Sequence, residues 1–79
     1  MTFEEMIKSV NSIFINILDN DNIVLARETT AKDIEEWDSL SHIQLVVAIE
    51  KHFKIRFSSG EIQGFKNVGE MCDNLLTKV

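Results

Sequence analysis

The sequence predicts an all-α protein, a small four-helix bundle of three longer helices and one short one, with a long loop between the first two. Three observations carry this. Apolar residues recur at intervals of three and four along most of the chain, no stretch alternates as a strand would, and there is no proline. A chain of 79 residues, 44% of them hydrophobic, supports one small core and reads as a single domain over residues 1–79.

Thr2-Phe3-Glu4-Glu5 has the form of a capping box, with the threonine reaching the third N–H and Glu5 reaching back. Phe3, Met6, Ile7, Val10, Ile13, Phe14, Ile17 and Leu18 then mark one face of a helix of about five turns. Its Asn, Ser and Ile content gives it little intrinsic stability, so it depends on the rest of the bundle. Asn20, Asp21 and Asn22 stop it. The connection that follows is too long to lack structure or function. Ile23, Val24 and Leu25 are expected to pin its first part to the core, Thr30 to Ile34 to form a short helical turn, and Trp37 to pack over the bundle end.

A second helix is expected from Ser39 to Phe53 or Lys54. Leu40, Ile43, Val46, Val47 and Ile49 cover most of one side of it, closed by Phe53. Ser58-Ser59-Gly60-Glu61 can cap a short helical segment carrying Ile62 and Phe65. Asn67-Val68-Gly69-Glu70 is a further start of capping-box type, leading into Val68, Met71, Cys72, Leu75, Leu76 and Val79.

The net charge of −5 is unevenly spread, because residues 19–38 hold seven acidic side chains against two basic ones. Nucleic acid is therefore not an expected partner, whereas a basic patch on a protein is. A single cysteine rules out an internal disulfide, and nothing resembles a secretory signal, so a reduced, cytoplasmic protein is expected. No apolar run approaches membrane-spanning length, so no membrane insertion is expected.

Conventional catalysis finds little support. Ser39 and His42 share a side of the second helix, but neither an orienting acid nor an oxyanion site follows from the sequence. His42, His52 and Cys72 lack the spacing and number of a metal site; Cys72 reads as a small core residue and the histidines as solvated. The distinctive stretch is Glu35-Glu36-Trp37-Asp38-Ser39-Leu40. Asp38 or Ser39 can cap the helix, and a serine in the first turn with its hydroxyl outward would place an attached anion against unpaired N–H groups and the positive end of the helix dipole.

Asp38-Ser39-Leu40, followed by an apolar helix ending in Glu50-Lys51-His52-Phe53 and then Ile55-Arg56-Phe57, resembles the acyl carrier proteins over nearly the whole chain. The resemblance implies a free-standing carrier, not an enzyme. Ser39, flanked by Asp38 and Leu40, would receive a 4′-phosphopantetheine arm from a separate phosphopantetheinyl transferase using coenzyme A and magnesium, and the arm would hold acyl groups as thioesters. Val46 and Ile49 match positions that face an acyl cleft. Leu40 and Val47 match positions that touch partner enzymes, with Glu50, Glu35 and Glu36 as acidic contacts for basic docking patches on acyl-activating, condensing or transferring enzymes. A monomer is expected.

The second helix departs from the common fatty-acid pattern. Its outward positions include Ser41, His42, Gln44, Lys51 and His52, where those carriers are rich in acids. The pathway the resemblance implies is fatty-acid, polyketide or a specialised biosynthesis, and this departure suggests a specialised pathway over general fatty-acid synthesis. Two other readings stand beside it: an aminoacyl or peptidyl carrier, although the glycine-rich approach common in those is missing here, and an unmodified helical protein-interaction module in which Ser39 is only a cap.

Overall fold

The first helix, α1 (Phe3–Leu18), opens on the anticipated capping box: Thr2 Oγ1 accepts the Glu5 N–H at 3.2 Å, and Glu5 Oε1 accepts the Thr2 N–H at 2.8 Å. It ends at Asp19, whose left-handed backbone (φ 53°) closes the last turn before Asn20 is reached. The computed structural model describes residues 1–79. Met6, Val10, Ile13 and Phe14 form the buried stripe of α1, while Ile17 turns to solvent. This helix packs against both α2 (Ser39–Phe53) and α4 (Val68–Lys78), and the short α3 (Ser59–Gly64) is tied to α2 through a hydrogen bond between His42 and the Ile62 carbonyl. No strand is present, as the sequence pattern implied.

Between α1 and α2 the chain is ordered by α1 itself. Asn11 reaches out with both ends of its amide: Oδ1 accepts the Leu25 N–H at 2.7 Å and Nδ2 donates to the Ile23 carbonyl at 3.2 Å. That clamp holds three residues extended, so alternate side chains point to opposite sides. Ile23 and Leu25 enter the core and Val24 faces water, 85% exposed, a correction to its expected anchoring role. The short helical turn forms over Ala31–Asp33 as a 3₁₀ turn with its own Thr30–Asp33 box. Ile34 and Trp37 then bury beneath the bundle end, the Trp37 ring meeting Phe14 edge-on at 4.9 Å.

The same loop also caps α4. The Val68 and Gly69 N–H groups, orphaned at the helix start, donate to the carbonyls of Thr29 (2.9 Å) and Arg27 (2.8 Å). A side chain at position 69 would bring its Cβ to 2.8 Å from the Arg27 carbonyl oxygen, so the approach requires glycine. Arg27 continues outward to an ion pair with Asp73 at 3.0 Å and lies over the Phe3 ring. The box expected at Asn67 is half formed: Asn67 Oδ1 accepts the Glu70 N–H, but Glu70 turns back to the Lys66 N–H. Val68, Met71, Cys72 and Leu75 are buried, whereas Val79, at the end of the anticipated stripe, is 55% exposed.

Helix α2 has two apolar faces, which corrects the reading of one continuous side. Ser41, Leu45, Val46 and Ile49 point inward, while Leu40, Ile43 and Val47 point out. The dividing rule is helical geometry: residues at i and i+4 share a line, so burying Ser41, Leu45 and Ile49 forces Ile43 and Val47 to the opposite side. The helix ends at Lys54, again left-handed (φ 57°).

Candidate functional site

The start of α2 is built by Asp38 and Ser41. Asp38 is the N-cap, its carboxylate accepting the Ser41 N–H at 2.9 Å, and Ser41 Oγ accepts the Asp38 N–H at 2.8 Å in return. The Ser41 hydroxyl also donates to the Glu36 carbonyl at 2.8 Å. Ser41 is thus buried and structural, not outward as the sequence suggested, because a serine three residues after the cap completes the box that glutamate usually completes. The Ser41 backbone hydrogen bond holds the Asp38 carboxyl below its ordinary pKa, so the cap is anionic at neutral pH.

With Asp38 and Ser41 making the cap, Ser39 is left free. It occupies the first helical position, is exposed, and takes no part in the cap network. Leu40 beside it is 70% exposed. Next to Ser39 lies a groove of about 710 Å³ between the start of α2 and α3, walled by Trp37, His42, Ile43, Ile62 and Phe65, with Lys66 at its edge.

His42 is the residue whose role the sequence did not disclose. Instead of being solvated it is half-buried, its ring nearly parallel to that of Trp37 (21°) with centroids 5.9 Å apart. Trp37 Nε1–H can only donate, so His42 Nδ1 accepts it at 3.1 Å; the other nitrogen, Nε2–H, then donates to the Ile62 carbonyl at 3.1 Å. A neutral imidazole therefore spans from the loop to α3 and forms one wall of the groove. Nothing in the spacing of residues 37, 42 and 62 signals this, because Ile62 comes from a separate element.

The other sequence-selected residues fall in distinct places. Val46 (3% exposed) and Ile49 (0%) are in the core, and none of the grooves on the surface is lined by either. Val47 is 41% exposed on the same face as Leu40. Glu35 and Glu36 are exposed just ahead of α2, Glu36 accepting a hydrogen bond from Asn20. Glu50 is half-buried, and its carboxylate accepts the Phe57 N–H at 2.8 Å, tying α2 to the chain that leads into α3. Cys72 is fully buried, and that burial pushes its thiol up to about 11, which leaves it neutral and inert. His52 sits far along α2, edge-on to Phe53.

An exposed serine at a capped helix start, next to a part-apolar groove and without a catalytic partner, is the arrangement of an attachment point and not of a hydrolase. The chain matches the family described as phosphopantetheine attachment site over residues 10–75. A comparison with curated protein sequences finds no match. Among solved structures, the solution NMR structure of a holo acyl carrier protein from Geobacter metallireducens is similar, at 48% identity over 92% of this chain and 84% of that one, with a TM-score of 0.88. The chain belongs to the acyl carrier protein family: it is a carrier and not an enzyme, and its cofactor is a covalent 4′-phosphopantetheine.

Proposed function

We propose that the Ser39 hydroxyl is where the 4′-phosphopantetheine is attached, and that the chain uses it to deliver acyl intermediates to successive enzymes of a specialised biosynthetic pathway. One observation carries the reading: in a capped helix start, Ser39 has an exposed hydroxyl outside the cap network, while Asp38 and Ser41 are committed to the cap.

The residues present fit the group. A phosphodiester on Ser39 would meet the positive end of the α2 dipole, with Lys66 as the cation among the residues lining the adjoining groove. Ile43, Ile62 and Phe65 would offer the arm's pantetheine portion a partly apolar surface. When attached, the group supplies a terminal thiol that holds an acyl chain as a thioester. The close packing of Val46 and Ile49 means that an acyl chain reaching them does so by parting α2 from its neighbours, since no cavity stands ready there.

A phosphopantetheinyl transferase must provide the base for loading, because no side chain of this protein is hydrogen-bonded to Ser39. Leu40 and Val47 offer small apolar contacts and Glu35 and Glu36 acidic ones, which suits weak, reversible binding to enzymes with a basic patch near the entry of the arm. We further read the chain as a cytoplasmic monomer; no helix is long and apolar enough to cross a membrane.

The test is the intact mass after incubation with coenzyme A, magnesium and a broad-specificity phosphopantetheinyl transferase. The wild type should gain one phosphopantetheine and Ser39→Ala none. A folded wild type left unmodified by several transferases, or a Ser39→Ala variant that is still modified, would remove the assignment.

A further inference from the structure

Along its outward face α2 carries a ridge that changes character from one end to the other. Leu40, Ile43 and Val47, at helical spacing, are 70%, 61% and 41% exposed. Beyond Val47 the ridge runs into cations: Lys51, Lys54 and Arg56 are all exposed and, with Val47, Glu50 and Ile55, line one groove of about 670 Å³. In a chain of net charge −5 this is a local excess of positive charge, and it is not neutralised internally. The ion pairs in the structure are Arg27–Asp73 and Lys78–Glu61, so none of these cations is matched. The one carboxylate in the groove, Glu50, is turned to the Phe57 N–H.

At the opposite end, Glu35 and Glu36 stand exposed immediately before the helix. At 1.5 Å per residue, about 22 Å of helix separates Ser39 from Lys54. In chain order the exposed residues thus run from acidic before the helix, through apolar on its outward face, to basic at its end; Glu35 and Glu36 line a groove with Asn20, Glu28 and Asp33, and the ridge itself runs from apolar to basic.

We propose that this ridge docks a partner protein which meets the C-terminal end of α2 with an acidic patch. The proposal rests on the carrier reading above, which puts a basic patch of the partner near the entry of the arm, and adds an acidic patch at the far end of the helix. Complementary charge steers encounter and sets orientation, while a small apolar ridge keeps the complex reversible. A partner basic along its whole docking groove is repelled by Lys51, Lys54 and Arg56. A second copy of the chain, packed antiparallel, would also match charges, but it would cover Ser39 on both copies and so obstruct delivery.

The test uses a phosphopantetheinyl transferase whose carrier-docking groove is basic, with loading of Ser39 as readout. The charge-reversed variant K51E/K54E/R56E should be the better substrate: KM lower by about tenfold at low salt, with kcat within about twofold. The difference should shrink toward unity at about 0.5 M salt, and reversing the basic groove residues of the transferase to Glu should restore the preference for wild type. Because the prediction is a gain, misfolding cannot imitate it. An unchanged KM with Ser39 still loaded would overturn the proposal and leave the carrier reading standing, whereas failure to load either form would remove both. Sedimentation decides the remaining occupant: dimerisation of the wild type that the variant abolishes would replace the partner with a second copy.

Discussion

The long connection ahead of α2 and the short helix α3 behind it are held in opposite ways. The connection is tied through backbone: Arg27 and Thr29 carbonyls cap α4, and Asn11 grips the peptide groups of Ile23 and Leu25, with Ile23, Leu25, Ile34 and Trp37 buried. Helix α3 contains no buried residue. It is attached by side chains, through His42 to the Ile62 carbonyl and through Glu61 to Asn74 (2.8 Å) and Lys78 (3.0 Å). Even there, Asn74 Oδ1 is buried without a partner. A loop whose regular structure is a single 3₁₀ turn is thus the better anchored region, and an α-helix the worse. What decides local stability is burial and backbone satisfaction, not secondary structure as such. The arrangement suits a carrier, because the weakly held element forms the far wall of the groove beside Ser39.

The largest effect should come from breaking the strong side. Gly69→Val would drive its side chain into the Arg27 backbone and push the loop off α4. A loss of about 2–3 kcal/mol is expected, as for other overpacked sites, which in a chain this small lowers Tm by roughly 10 °C or more in a calorimetric or circular-dichroism melt. A melt unchanged from wild type would show that the loop can yield at no cost, and the contrast between the two regions would collapse.

A smaller and more local response is expected at His42→Ala. It frees the Trp37 N–H and the Ile62 carbonyl, both near water, so the global cost should be about 1 kcal/mol. Amide hydrogen exchange should nevertheless accelerate across residues 59–65 while the Ile23–Leu25 amides keep their protection. Uniform acceleration through the chain would mean that α3 opens only with the whole bundle.

The smallest effect is the acid response of α3. The Ser58 N–H first, then Asn74 and Lys78, hold the Glu61 carboxyl down at about 2. Its folded value lies below its unfolded one, about 4.3. Its contribution is therefore present above that unfolded value and is lost as pH falls from there through 2. Exposure to solvent keeps the contribution small. Shifts of the α3 amides should follow this window in wild type and disappear from it in Glu61→Gln. A window that persists in the variant would assign the acid response to another carboxylate.

Local signals in the sequence determined most of the architecture. The capping boxes at Thr2 and Ser58, the three-and-four periodicity of α1 and α4, and the Asp38-Ser39 start of α2 are interactions within one turn, so residue order alone specifies them. The exposed serine was legible for the same reason, and its family through the Asp-Ser-Leu frame. Only tertiary structure decided which of the two apolar faces of α2 turns inward, since Ile43 and Val46 are alike in hydrophobicity and differ only in where α1 lies. It also decided that Ser41 and His42 serve the fold, that Val24 faces water, and that Glu50 is turned to the Phe57 N–H. Each of these depends on a partner in another element or across a turn, and such distances in space are not written in the spacing of residues along the chain.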